Sequence, residues 1–337
     1  MRRSRSRARL LLLTFAGAAA CGGGAVRTLH AQSISQPQGA AFLLLPVGAR
    51  ATALGQAAVA DGGTTEAIFW NPAGLAAVPH GEFAVHHFNA FFGAGDAVAL
   101  AAHSPRLGTV AVAAYLVDYG DLDLTPSEGG PLPIGRITPR NVALALSYGT
   151  DVGAGAAIGL TYKMVQFRVD CAGDCRDVTT TTGTTHAVDV GFRYVASVAP
   201  VVVGVSLRNL GFPLQVQNSA QADPLPTRLS VGVAYEVVRS ATGAAGEGLD
   251  VRVLADVQGA VGHGPFFPVT LVGVESGVGE LIRLRAGYAF TDSDARGPSI
   301  GLGMRLGQMS VDVARVFFAN DILGEREPFH VSFRATF

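Results

Sequence analysis

No stretch of the sequence carries the roughly 18 or more consecutive apolar residues that a membrane-spanning helix needs, and this excludes a helical membrane protein. Charge is scarce: Asp, Glu, Lys and Arg make up 15% of the 337 residues and sum to a net −1. A soluble domain runs nearer a quarter charged, and a near-neutral chain carries no electrostatic footprint for nucleic acid. Catalytic motifs are missing as well. There is no GxSxG, no HExxH and no Walker A lysine motif, so neither an enzyme nor a bound cofactor is expected. What is present is apolar residue in small doses: 49% of the chain is hydrophobic, broken every few positions by Gly, Ser, Thr or Arg. Lipid-facing and lumen-facing side chains alternate in this way along the strands of a membrane barrel. The 43 glycines fit close-packed strand interiors.

The first residues, MRRSRSRARL LLLTFAGAAA, are a basic stretch followed by an apolar run of signal-peptide length. Residues 1–31 are therefore expected to be an export signal cleaved after Ala31; a rival reading makes Cys21 a lipidated cysteine. With Cys21 removed, Cys171 and Cys175 remain, in the short segment CAGDC. Exported proteins live where disulfides persist, so a small loop-closing bridge between these two is expected. A metal site would need two further ligands, and the nearest candidates, Asp170 and Asp174, are hard oxygen donors poorly matched to thiolates.

From about Gly81 onward the hydrophobic period is two. In the last segment Phe329, Val331, Phe333, Ala335 and Phe337 fall on one face, and His330, Ser332, Arg334 and Thr336 on the other. Segments of this kind lie near 81–91, 95–104, 107–119, 139–150, 154–169, 184–195, 200–209, 226–238, 249–259, 267–276, 281–290, 296–306, 308–319 and 328–337. They predict an all-β fold: an antiparallel transmembrane β-barrel of about fourteen strands. Long connections such as 120–138 and 170–183 alternate with short ones such as Pro105-Arg106 and Gly307, as outer loops and periplasmic turns do. Segment 267–276 is apolar on both faces, and Arg315 is out of phase with Asp312, which predicts a bulge or an altered boundary there. A soluble sandwich would show Lys and Glu on its wet face; here that face is mostly Gly, Ala, Ser and Thr, suited to a crowded lumen. The terminal Phe337 matches the aromatic ending that barrel assembly machinery recognises. The expected location is the cell outer membrane, with its lipid as a partner.

Residues 32–80 break the period-two rule. They are rich in Ala and Gly, with a short helix expected around 48–60 and turns at Asp61-Gly62-Gly63 and Asn71-Pro72. The segment is too compact and apolar for a linker and is expected to plug the barrel formed by 81–337. Asn71, Pro72, Ala73 and Gly74 make a tight bend, because Asn before Pro is biased to extended backbone and Pro fixes the next φ. The bend is read either as a structural turn against the wall or as a movable gate, with Trp70 as an anchor in both cases. PVGARATALGQAAVA at 46–60 and IFWNPAGLA at 68–76 resemble the N-terminal signature of the PorV/PorQ family of outer-membrane proteins, itself similar to FadL-type barrels. Leu207-Arg208-Asn209-Leu210-Gly211, Leu225-Pro226, RLRAGYAF at 283–290 and Gly301-Leu302-Gly303 extend the likeness along the chain. The resemblance implies a fourteen-stranded barrel with an N-terminal hatch.

Scattered charges supply the remaining candidates. Arg283, Arg285, Arg305, Asp312 and Arg334 are expected in the lumen, either as salt bridges that fasten the plug to the wall or as a basic lining for anionic or amphiphilic substrates. His86 and His87 point to opposite faces, which spoils a shared metal site. Asp118, Asp121 and Asp123 are a weak calcium pattern without an EF-hand, and no metal is expected. Three classes of function compete, the third being an outer-membrane enzyme, which the missing motifs disfavour, or a purely structural barrel. The resemblance implies association with type IX protein secretion, with secretion components or surface cargo as partners. The alternative is a FadL-like passive channel for hydrophobic small molecules.

Overall fold

The computed structural model describes residues 38–337 apart from 91–92, 126–132, 176–179, 217–221, 240–248, 263–267, 280, 292–295 and 318–326. The expected signal 1–31, with Cys21, lies outside the described residues.

Fourteen antiparallel strands form a closed barrel. In chain order the strands are β1 (Glu82–Ala90), β2 (Gly93–Ser104), β3 (Gly108–Asp118), the short β4 (Leu122–Leu124), β5 (Gly135–Gly153), β6 (Ala156–Gly173), β7 (Thr181–Val195), β8 (Val201–Gly211), the two-residue β9 (Leu214–Gln215) and β10 (Ala222–Asp223), β11 (Arg228–Arg239), β12 (Leu249–Ala260), β13 (Val269–Val278), β14 (Ile282–Phe290), β15 (Gly297–Leu306), β16 (Met309–Val316) and β17 (Phe329–Thr336). Neighbours in sequence pair with one another, β3 pairs with β5 around the small β4 extension, and β8 pairs with β11 around the β9–β10 hairpin. The ring closes where β1 meets β17, in register from Glu82 opposite Thr336 to Asn89 opposite Phe329. Closure leaves no edge strand in the wall.

Alternation holds along the wall. Leu144, Leu146, Ile158, Leu160, Val190, Phe192, Leu302 and Met304 point outward and are exposed, so the outside is an apolar belt. Strands β5 to β7 are the longest and raise one side of the barrel at the end that carries the long loops. The opposite end is closed by tight turns, at Gly155 and Gly307 with positive φ of 79° and 61°. The ladder slips between β7 and β8, where Val188 faces Leu210 but Val190 faces Leu207. Asn209, with φ 60°, occupies this bulge.

Of the two outcomes expected near 267–276 and Arg315, the structure shows altered boundaries, Val269–Val278 and Met309–Val316, and no bulge. Register is continuous along β13–β14 and β15–β16. Arg315 faces outward and pairs with Glu327 at 2.5 Å, while the inner face of β13 carries Leu271, packed with Leu54 and Ala57, beside the buried Glu275.

Candidate functional site: a filled lumen beneath a vestibule

The segment before β1 occupies the lumen. It contains a 3-10 turn (Ala41–Leu44), α1 (Ala49–Ala53), α2 (Ala67–Trp70) and a second 3-10 turn (Pro72–Ala77). Its apolar side chains are enclosed: Leu54, Ile68 and Leu75 have no exposed surface. Ile68, Leu75 and Val78 pack on Ala84, Ala99, Ala101, Ala111 and Ala113 of β1 to β3. The other side meets wall glycines. A Cβ on Gly159 would lie 2.2 Å from the Pro72 carbonyl carbon, on Gly191 2.0 Å from Asn71 Oδ1, on Gly204 2.1 Å from the Val59 oxygen and on Gly287 2.0 Å from the Gly55 nitrogen. Backbone here lies on backbone, a closeness only glycine permits.

Irregular buried backbone must find hydrogen-bond partners, and the wall's sparse inward polar side chains supply them. Asp256 Oδ2 accepts from the Ala58 and Val59 nitrogens at 2.8 and 2.9 Å. Glu82 accepts from the Thr65 nitrogen and hydroxyl at 2.6 and 2.7 Å. Ser332 accepts from Ala49 N at 2.8 Å and Ser299 from Gly55 N at 3.1 Å, while Arg193 Nε donates to the Ala60 oxygen at 3.2 Å.

The WNPAG block sits at the centre of this packing. Asn71 Oδ1 caps the following turn by accepting from Ala73 N at 3.1 Å, with Pro72 in the first-turn position it suits. Asn71 Nδ2 donates to the Val59 and Phe192 oxygens at 2.7 and 3.0 Å. Gly74 O accepts from Gly63 N at 3.0 Å. Trp70 Nε1 donates to the Val47 oxygen at 3.0 Å, and the guanidinium of Arg208 lies 5.1 Å from its ring centre.

Across the lumen from the bend runs a chain of buried ion pairs. Arg252 pairs with Asp61 at 2.7 Å, Asp61 with Arg50, and Arg50 with Glu275 at 3.0 Å. Glu275 meets Arg285 at 2.5 Å, and Asp312 accepts from both Arg285 and Arg334 at 2.6 Å. The structure thus brings Arg285, Asp312 and Arg334 together and leaves two lumen candidates apart. Arg283 pairs with Asp250 on the wall at 2.6 Å, half-exposed. Arg305 has the inward parity but lies at the short-turn rim, exposed, its Nε donating to the Gly307 oxygen at 3.3 Å. A parity argument fixes the face a residue is on and is blind to its height along the strand. The direct links from plug to wall are made by Arg50 and Asp61, which have no period to reveal them, and by Glu275, the one charge in a strand otherwise apolar on both faces. Arg252 was readable from the alternation of β12.

Other candidates are dispersed. Cys171 and Cys175 are bonded to each other at the top of β6. Asp121 and Asp123 pair with Arg136, and Asp118 with Arg140, which neutralises the calcium pattern. His86 turns inward to Ser332 and His87 outward to Asp96. Phe337 is exposed, and its backbone pairs with Gly81 at the seam.

Above the plug, at the long-loop end, a cavity of about 490 Å³ lies between Leu44, Leu45, Pro46 and Gln56 of the plug and the upper parts of β1, β8 and β11 to β17. Its lining is mostly apolar, with Gln56, Arg208, Arg228, Gln258, Ser299 and His330 among the polar side chains. We refer to it as the vestibule.

Many solved structures share this architecture, and three of them serve for comparison. The CymD monoaromatic hydrocarbon channel aligns with a TM-score of 0.58 at 12% identity, over 87% of this chain and 98% of that one. The toluene transporter TbuX of Ralstonia pickettii aligns with a TM-score of 0.54 at 12% identity, over 86% and 98%. The toluene transporter TodX of P. putida aligns with a TM-score of 0.54 at 11% identity, over 86% and 98%. At these identities the likeness is one of fold. No curated protein sequence matches the chain. Residues 16–291 match the pattern of an uncharacterised protein family, UPF0164.

Proposed function

The chain belongs to the UPF0164 family, and on that premise we propose that it is an outer-membrane channel that passes hydrophobic small molecules passively. The observation that carries this reading is the mostly apolar vestibule at the long-loop end, floored by a plug that fills the lumen. A pocket of this size with a mostly apolar surface suits a small hydrophobic ligand. The exposed apolar belt outside the barrel supports residence in a bilayer, and the channels of similar fold are described as conducting toluene or monoaromatic hydrocarbons. In this reading 1–31 is the export signal, 32–80 the plug, 81–337 the barrel, and Phe337 the mark read by the assembly machinery.

The test is toluene uptake by cells that lack their own aromatic channel. Expression of this chain should raise the uptake rate, linearly with the gradient and without an energy source. No increase, with the folded barrel present in the outer membrane, would overturn the proposal. A role in type IX secretion rests on a different observation, the resemblance of 46–60 and 68–76 to PorV/PorQ proteins. Its mark would be translocon genes and cargo with C-terminal sorting domains in the same genome.

A further inference from the structure

The outer surface of β3, β5 and β6 changes character at one height. On β5 the outward positions are apolar or aromatic from Val152 up to Val142, Thr150 excepted, and the next one up is Arg140. Positions 142 to 152 are eleven residues, enough for a tilted strand to cross the hydrocarbon, which takes roughly 9–11. The neighbours switch at the same level: Leu116 gives way to Asp118 on β3, and Met164 and Gln166 to Arg168 on β6. Asp118 stands opposite Arg140, and Arg140 opposite Arg168. Two residues of a tilted strand rise roughly 5 Å, so this charged row stands at the level of lipid head groups, on the face turned to the bilayer.

Like charges directly opposite on neighbouring strands repel, and the nearby carboxylates engage only part of each guanidinium. Arg140 gives its Nε to Asp118 at 2.9 Å. Arg168 gives Nε and Nη2 to one oxygen of Asp170, at 2.8 and 2.7 Å. Among the described residues neither Nη group of Arg140 nor Nη1 of Arg168 has a hydrogen-bond partner. The two side chains are 45% and 54% exposed, so these three donors are open to the head-group layer. Asp118 and Asp170 position the guanidiniums and balance their charge, which leaves an attraction that is local to the open Nη groups. Arginine forks of this kind match phosphate. Three donors suit a terminal phosphate, with three free oxygens, better than a phosphodiester, with two. Below the row, Val142, Leu144 and Met164 offer an apolar track for acyl chains.

We propose that Arg140 and Arg168 form a docking site, on the outside of the barrel, for the terminal phosphate of a glycolipid in the outer leaflet. The long loops mark that side of the membrane. The inference rests on the outer-membrane placement proposed above and is independent of what the lumen carries. Arg315 gives a natural contrast. It also faces outward at the long-loop end, but its strand neighbours are Ile300 and Phe329, and no second arginine stands beside it.

The test is native mass spectrometry of the folded protein, released from micelles supplied with lipid A, with its phosphate-free form, or with phosphatidylglycerol. Lipid A should be retained, and the other two about tenfold more weakly, since a charge-assisted bond contributes on the order of a factor of ten. Replacing both arginines, Arg140→Gln with Arg168→Gln, should cost at least about tenfold in lipid A retention. The fast-migrating folded band should survive, because exposed ion pairs contribute little to stability. If that double variant misfolds, Arg168→Lys, which keeps the charge and loses the fork, should show a smaller loss. Arg315→Gln should retain lipid A like the parent, and inorganic phosphate at the same concentration should not displace it. Equal retention of the three lipids, undiminished retention in the variants of Arg140 and Arg168, an equal loss in Arg315→Gln, or displacement by inorganic phosphate would overturn the proposal. Lost retention with toluene uptake intact would remove this site and leave the channel reading standing, whereas retention without uptake would do the reverse.

Discussion

Arg285 and Arg283 lie two residues apart on the same face of β14, yet their surroundings make them unequal. The Arg285 side chain is 3% exposed and is held between Glu275 and Asp312, whereas Arg283 is 28% exposed and its partner Asp250 43%. Removing one member of a buried pair costs about 3–5 kcal/mol when its partner is left alone, and less here because Glu275 keeps Arg50 and Asp312 keeps Arg334; an exposed pair contributes roughly 0–1 kcal/mol. Arg285→Ala should therefore lower the denaturant midpoint of the folded barrel clearly, while Arg283→Ala should leave it almost unchanged, as read by loss of the fast-migrating folded band on unheated gels. Equal losses would mean that Arg285 is hydrated in the working state. Glu66, in the plug, gives a pH test. Burial, assisted by Asp312 and opposed by Arg334, Arg50 and Arg285, pushes its carboxyl up to about 7 from an ordinary 4.5. A displaced, solvated plug would return it toward 4.5, so between these values the docked state binds more protons and gains stability as pH falls. The plug should hold tightest near pH 4.5 and loosen as pH rises through about 7, giving more frequent channel openings in planar bilayers at pH 8 than at pH 5. Glu66→Gln should flatten that slope.

At the scale of the elements, the wall glycines decide how the plug seats. Gly191 faces Asn71 with no room for a methyl group, and a Leu there would have to displace the bend that carries Asn71's hydrogen bonds to Val59 and Phe192. Gly191→Leu should leave strand pairing intact, because the side chain enters the lumen and not the ladder, and should raise conductance and protease access to the plug. A variant as closed as the parent protein would show that the bend adapts. The strands themselves were legible in the sequence where both faces declared themselves: the expected 281–290 corresponds to Ile282–Phe290, and 308–319 to Met309–Val316. Strands β5 and β6 run beyond the expected 139–150 and 154–169, to Gly135–Gly153 and Ala156–Gly173, since above the apolar belt nothing constrains the outward face to be hydrophobic. The inner face of β13 was illegible for a physical reason. Leu271 is complementary to Leu54 of a segment more than two hundred residues earlier, and a local pattern does not contain its distant partner. The same holds for Arg50, whose role follows from Glu275 and Asp61 and not from its neighbours in sequence.

For the whole molecule, the question is whether plug and barrel are separable. Every strand pair in the ring, including the β1–β17 seam, is made by residues from Glu82 onward, and the outward apolar belt belongs to the same residues. The plug contributes to neither. What it supplies is internal: it covers Ala99, Ala113 and Leu271 and satisfies Asp256, Glu82 and Glu275. Water entering an emptied lumen would solvate those carboxylates at little cost, whereas the uncovered alanines and Leu271 would lose their burial, at about 25 cal/mol for each Å² exposed. The barrel ladder, closed and without an edge, should withstand that loss. Deleting 38–80 while keeping the export signal should therefore yield a barrel that still inserts and still shows heat-modifiable mobility, less stable than the parent, and that conducts ions in large, long-lived steps where the intact protein rarely opens. Equal conductance with and without the segment would show that it does not block the pore. A truncated chain that fails to assemble, even with Phe337 intact, would show that the barrel closes around the plug and needs it as a core.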